Sequence, residues 1–188
     1  MLGLDVASYQ PRDLTPLIQQ LQPEHVVVRL YIPGERPPPD HSWAQIESAR
    51  ANGCSVGGYV WQYSSFSPIG TALDAINCAE TVGLDPPVYW IDIEPFTDGS
   101  IPTATQIGRC LDEFDQQGKR AGIYTGKWVW DRYYAGVTAF ADRPLWSANY
   151  GIPPDDLSAG YGGWTEAQGH QFVSKPVDQS MFLRSVTG

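Results

Sequence analysis

Val88-Tyr89-Trp90-Ile91-Asp92-Ile93-Glu94-Pro95 is the stretch on which the reading of this chain turns. Its β-branched and aromatic residues favour a strand over a helix. Pro86 and Pro87 precede it, and Pro95 stops it. Alternate side chains of a strand share a face. Trp90, Asp92 and Glu94 therefore point one way, and Tyr89, Ile91 and Ile93 the other. The strand rise sets the two acids roughly 6–7 Å apart at Cα. Like charges that close resist double ionisation and raise one of the two pKa values. A carboxylic acid held protonated in this way can donate a proton near neutral pH. A strand end with two solvated acids is the competing reading of any short D-x-E. On this stretch alone both readings stand.

Working outward, further strands are expected over residues 2–6, 25–31, 56–63, 119–125 and 143–150. Helices are expected over 13–21, 42–52, 71–82 and 102–117, with a short one at 128–134. Pro16 in a first turn, and Gly53, Gly83 and Gly118 just past helix ends, mark the boundaries. Residues 34–39 read as a rigid loop. Past residue 150 the chain turns rich in Gly, Pro and Ser, with weak strands at 162–164, 170–173 and 177–178. Strand–helix alternation over most of the length argues for a parallel sheet with crossover helices. Seven or eight strands in one domain point to a closed barrel. The 188 residues fall short of the typical ~250 for that fold. The expected fold class is therefore α/β, an irregular (β/α) TIM-like barrel with a reduced helix complement in the last third. The whole chain, 1–188, is read as a single domain.

A net charge of −9 argues against nucleic acid, because no basic stripe neutralises phosphates. No apolar run of ~18 residues is present, so no membrane span is expected. Met1–Val6 lack the sections of a signal peptide. Cys54, Cys78 and Cys110 form no CxxC pair and are expected as buried free thiols. His25, His41 and His170 are scattered, so no metal and no other cofactor is expected. A monomer is expected.

In barrels of this kind the chemistry lies at the carboxyl ends of the strands. Asp5 on the first strand, Asp92 and Glu94 on the fourth, and Asp178 near the end of the last would ring one cleft, because the first and last strands of a barrel are neighbours. Paired carboxylates without ligand histidines suit glycosidic bond hydrolysis. Seven Trp and ten Tyr are many for this length. Tyr59, Trp61, Tyr63, Tyr124, Trp146 and Tyr150 sit near strand ends and would line a sugar groove, although core packing competes for each of them.

Several stretches then resemble one family. Gly3-Leu4-Asp5-Val6-Ala7-Ser8-Tyr9-Gln10 is similar to the opening G-[IL]-D-V-S-x-[YW]-Q of glycoside hydrolase family 25, the Chalaropsis-type lysozymes. Asp92-Ile93-Glu94 matches its D-x-E. Gly122–Thr125 resembles its G-x-Y-[ST], and Leu145–Tyr150 its L-W-x-A-x-Y. His170-Gln171-Phe172 and Val177–Phe182 resemble its W-Q-[YF] and V-D-x-N-x-F. The matches run in family order from residue 3 to 182. Two departures stand out: His170 replaces a Trp, and residues 29–35 replace a lysine-containing K-A-[ST]-E-G.

The resemblance implies a muramidase that cuts the β-1,4 bond between N-acetylmuramic acid and N-acetylglucosamine in bacterial peptidoglycan. It implies Glu94 as general acid and Asp92 as the group supporting the substrate N-acetyl. Asp5 and Asp178 would complete the acidic base of the groove, with Gln171 among the substrate contacts. Both carboxyls of D-x-E share a strand face, so no nucleophile flanks the opposite side of the sugar. A substrate-assisted, retaining mechanism is therefore expected. The family 18 chitinases would need acids where Pro87 and Trp90 stand. A non-catalytic glycan-binding or structural barrel of a virion or wall remains the rival from another class.

Action on the cell wall combined with the leaderless opening suggests release from a host cytoplasm, as for an endolysin, or a catalytic piece of a larger secreted protein. Approach of so acidic a protein to an anionic wall is slow. Raising salt to about 0.1–0.2 M should therefore speed lysis by screening. Turbidity loss of a cell suspension checks this, and a rate falling steadily over that range contradicts it.

Overall fold

The computed structural model describes residues 1–31 and 40–187. The loop expected at 34–39, and positions 32–35 of the departing stretch, lie outside the described residues. Strand and helix alternate as β1 (Leu2–Val6), α1 (Thr15–Leu21), β2 (His25–Tyr31), α2 (Asp40–Ala51), β3 (Ser55–Trp61), α3 (Pro68–Thr81), β4 (Tyr89–Asp92), α4 (Ala104–Gln116), β5 (Ala121–Gly126), α5 (Lys127–Tyr133) and β6 (Leu145–Ala148). There follow β7 (Ser158–Tyr161), β8 (Trp164–Glu166), β9 (Gly169–Val173) and β10 (Asp178–Phe182). Eight strands close a barrel in the order β1-β10-β9-β6-β5-β4-β3-β2, and β7 and β8 form a separate hairpin. Among the described residues the last α-helix ends at Tyr133, so the last third carries the reduced helix complement that the chain length implied. No described helix is long and apolar enough to cross a membrane.

Local chemistry sets the helix starts. Ser67 caps α3 through Gly70 N at 3.2 Å, with Pro68 in its first turn. Thr103 and Gln106 form a reciprocal capping box on α4, which satisfies two otherwise unpaired N–H groups.

The all-parallel expectation fails at one strand. β10 runs antiparallel to both β1 and β9, while the other barrel pairs are parallel. Residues 174–177 are too few for a crossover, which needs a dozen or more, and a short turn joins only antiparallel strands. The strand expected at 162–164 is instead mostly turn. Gly162 and Gly163 both hold positive φ, 60° and 85°, and reverse the chain between β7 and β8.

The alternation in β4 holds as expected. Tyr89, Ile91 and Ile93 face out into the main core with Leu4, Val26, Val28 and Ile123. Val88 and Trp90 face in, with Val27, Tyr124, Trp146 and Phe182. Trp90 and Trp146 meet at 5.7 Å between centroids, and Trp146 and Phe182 at 5.1 Å. With His25 lying edge-on to Phe182 at 5.3 Å, these rings fill the lower lumen. Glycines on neighbouring strands make room for them. A Cβ on Gly122 would lie 2.7 Å from both the Pro144 carbonyl oxygen and the Trp90 ring. Gly122→Ala is expected to cost about 1–3 kcal/mol of stability, as overpacking against backbone does. A urea-unfolding midpoint equal to wild type would contradict that packing. Cys54, Cys78 and Cys110 are buried and unpaired, as expected.

Candidate active site

The carboxyl ends of the parallel strands and the amino end of β10 share one rim. Asp178 therefore opens its strand rather than ending it, and the reversed direction of β10 still delivers it to the acidic rim. Asp5 on β1 and Asp178 on β10 are direct cross-strand partners. Asp92 is the last residue of β4, and Glu94 lies two residues beyond. Sheet bonding continues past the strand end. Ile93 N donates to Tyr124 O at 2.9 Å, and Thr125 Oγ1 donates to Ile93 O at 2.9 Å. Trp61 Nε1 reaches Glu94 O at 3.4 Å. These bonds keep the backbone extended, and the alternation carries Glu94 to the side of Asp92.

The rim encloses a cleft of about 300 Å³ lined by Asp5, Asp92, Glu94 and Asp178. The expected Tyr59, Trp61, Tyr124, Trp146, Tyr150 and Gln171 line it too. Tyr63 does not. It packs beside the cleft against Trp61, Phe66 and Phe96, with centroids 4.7–5.9 Å away. Trp146 also serves the core: it is 2 % exposed, and its Nε1 donates to Ser180 Oγ at 3.0 Å. Gln171 ties the site together. Its Nε2 donates to Asp5 Oδ2 at 3.1 Å, while its Oε1 accepts from Tyr124 OH at 2.9 Å and from Tyr150 OH.

Two lining residues escaped the reading of the sequence, Tyr9 and Arg29. Arg29 left a signal. It is the one formal charge in the strand His25-Val26-Val27-Val28-Arg29-Leu30-Tyr31, on the inward face with His25 and Val27. Tyr9 follows β1 in a turn, where no periodicity marks it. His170 lies outside the lumen. Its Nε2 is 2.6 Å from Asn149 O and its Nδ1 is 3.2 Å from Pro154 O, so it braces the loop that carries Tyr150.

All four carboxyls are raised above their ordinary values. Burial raises Asp5 well above its usual value, and the Asp178 charge opposite adds to it. Asp92 is raised well above its usual value by burial, then by the charges of Glu94 and Asp5, with Arg29 opposing. Among the described residues its Oδ1 has no hydrogen-bond partner. Glu94 is raised by burial and then by Asp178. Asp178 is raised by burial, with hydrogen bonds from Asp5 and Tyr9 pulling the other way. Among the described residues Arg29 is the single cation lining the cleft, bonded to Ser8 Oγ at 2.6 Å. The result is a ring of acids biased toward their protonated forms, in which Glu94 is half-buried while Asp5 and Asp92 are buried, and an acid so placed can hand a proton to a leaving oxygen. No cluster of His, Cys, Asp and Glu among the described residues is arranged to hold a metal ion.

A family model described as glycosyl hydrolases family 25 matches residues 40–181. Among solved structures, a muramidase from Trichobolus zukalii superposes with a TM-score of 0.78 at 21% identity, over 97% of this chain and 93% of that one. The modular autolysin LytC of Streptococcus pneumoniae, solved with a synthetic peptidoglycan ligand, gives 0.77 at 15% identity, over 97% of this chain and 46% of that one. A family 25 glycosyl hydrolase from Bacillus anthracis gives 0.71 at 16% identity, over 97% and 88%. At these identities the likeness is one of fold. No curated protein sequence matches the chain.

Proposed function

From the premise that this chain belongs to glycosyl hydrolase family 25, we propose that it hydrolyses the β-1,4 bond between N-acetylmuramic acid and N-acetylglucosamine in peptidoglycan. The observation that carries the reading is the ring of four carboxylates around one cleft, all raised above their ordinary values. The peptidoglycan ligand of the LytC structure supports the same substrate class.

Glu94 is the general acid. It is half-buried at the rim, where a glycosidic oxygen can reach it, and burial favours its protonated form. Asp92, deeper and held by the sheet, orients the acetamido group of the sugar being cleaved. The acetamido oxygen attacks C1, the C1–O bond breaks, and Glu94 gives its proton to the departing oxygen. The Glu94 carboxylate then takes a proton from water as that water opens the cyclic intermediate. Two displacements at C1 leave the configuration retained. Support for this route is that Asp92 and Glu94 leave the same strand on the same side, so neither flanks the sugar from opposite faces. Asp5 and Asp178 hold the floor acidic, and Gln171 fixes Asp5, Tyr124 and Tyr150 in one hydrogen-bonded unit.

Digestion of purified peptidoglycan, with mass spectrometry and reducing-end identification, tests the reading. Fragments ending in reducing N-acetylmuramic acid are expected. Reducing N-acetylglucosamine would make the enzyme a glucosaminidase, and no fragments at all would favour a glycan-binding barrel. Anomeric NMR of the first product checks the mechanism: an inverted product would exclude the acetamido route.

A further inference from the structure

We propose that a groove beside the acidic cleft, floored by Trp128 and Tyr150, is a second sugar-binding site that holds the glycan strand beyond the residues flanking the cleaved bond. The inference rests on the proposed action on glycan strands and extends it to a length requirement.

The groove has about 420 Å³ of space and is lined by Lys127, Trp128, Asp131, Ala148, Asn149 and Tyr150. Its place follows from the barrel. Gly126 and Ala148 are paired neighbours at the ends of β5 and β6, so the segments leaving those strands sit side by side on the catalytic rim. Trp128 is 56% exposed and Tyr150 51%, a large apolar area to leave in water. Contiguous exposure of this kind marks a binding surface more often than chance.

Trp128 is also held in position. A Cβ on Gly126 would lie 3.0 Å from Trp128 Nε1, so the missing side chain lets the indole lie against the main chain. The hydroxyl of Tyr150 is tied to Gln171 Oε1. One aromatic face is tied by a hydrogen bond and the other lies close to the main chain, which lowers the ordering cost at binding. The charges at the edge are occupied with each other, Lys127 Nζ to Asp131 Oδ2 at 2.6 Å, which keeps the floor apolar and the rim polar.

A pyranose fits this surface: one face carries C–H groups that lie on an aromatic ring, and its edge carries hydroxyls for amide and carboxylate partners. The argument for a sugar over other occupants is continuity. Tyr150 lines both the cleft and the groove, so a polymer threaded through the first runs onto the second. Around the barrel, Glu94 after β4 lies between this groove, at β5 and β6, and the Trp61–Phe96 aromatic pair on the β3 side.

The test is calorimetric titration of Glu94→Gln protein with β-1,4 N-acetylglucosamine oligomers of two to six sugars. Affinity is expected to tighten about tenfold between the shortest and longest. In a protein that also carries Trp128→Ala that gain disappears, while affinity for the two-sugar ligand and the unfolding temperature stay unchanged. Trp128→Tyr keeps most of the gain. The same length dependence with and without Trp128, or no binding of any oligomer, overturns the proposal. Wild type that binds long oligomers through Trp128 yet releases no fragments from peptidoglycan would overturn the muramidase reading and leave this site standing. Cleavage of peptidoglycan with no role for Trp128 in length dependence would do the reverse.

Discussion

Glu94→Gln is expected to lower glycan cleavage by about 10²–10⁴-fold, the usual contribution of a positioned general acid, with no fall in the unfolding temperature. The amide keeps the shape of the side chain and removes the transferable proton. The backbone around it is set by Ile93, Thr125 and Trp61, whose bonds to the segment do not involve the Glu94 carboxyl. Initial rates on solubilised glycan strands, with calorimetry of both proteins, decide it. A Gln variant with the wild-type rate would move the acid elsewhere in the ring. The pH profile gives a second check. Glu94 works only while protonated, and burial followed by the Asp178 charge raises its pKa. Removing that charge with Asp178→Asn lowers the pKa of Glu94, so the fall in rate on the alkaline side moves to lower pH. A profile moving to higher pH would contradict the electrostatic account.

The other large effect is expected from Asp92→Asn, with opposite signs for activity and stability. Activity falls about 10²-fold, because an amide cannot match the charge that develops on the acetamido group in the transition state. Stability at pH 7.5 rises by about 1–2 kcal/mol, the common gain when a functional site gives up a costly group. Asp92 is buried among like charges, and its pKa is raised in the folded state by burial, then by Glu94 and Asp5. The folded state therefore binds more protons than the unfolded chain, and stability falls as pH rises through the raised value. As pH drops toward the ordinary carboxylate value near ~4, Asp92 becomes neutral in the wild type and the advantage of Asn disappears. Urea midpoints of both proteins at pH 7.5 and pH 4.5 measure this. A variant less stable than wild type at pH 7.5 would mean that the carboxylate is held by favourable contacts.

The four acids were legible because each sits where a local rule acts. Asp92 and Glu94 end an apolar strand with a strict two-residue period, and the β4 side chains divide between lumen and outer core as that period requires. Asp5 closes a similar run. Asp178 was found as a rim residue for a partly wrong reason, since its strand is reversed and presents its first residue, not its last. The aromatic residues were legible as a set and not singly: Trp146 divides its surface between core and cleft, and Tyr63 lies beside the cleft. Arg29 and Tyr9 were missed. An arginine in a buried strand has a strong meaning only once the lumen faces are known, and a tyrosine in a turn has no period to betray it.

By itself the sequence determined the alternation of strands and helices, the faces of β4, the shortage of helices after Tyr133 and the set of candidate acids, because these depend on backbone geometry and side-chain type within a few residues. Only the tertiary structure decided that Asp5 and Asp178 face each other, that Arg29 stands among the acids, and that Trp128 and Tyr150 share a groove. Barrel closure brings together residues from opposite ends of the chain, and their burial in one low-dielectric cleft shifts the four carboxyls. Neither the closure nor the burial is a property of any local stretch.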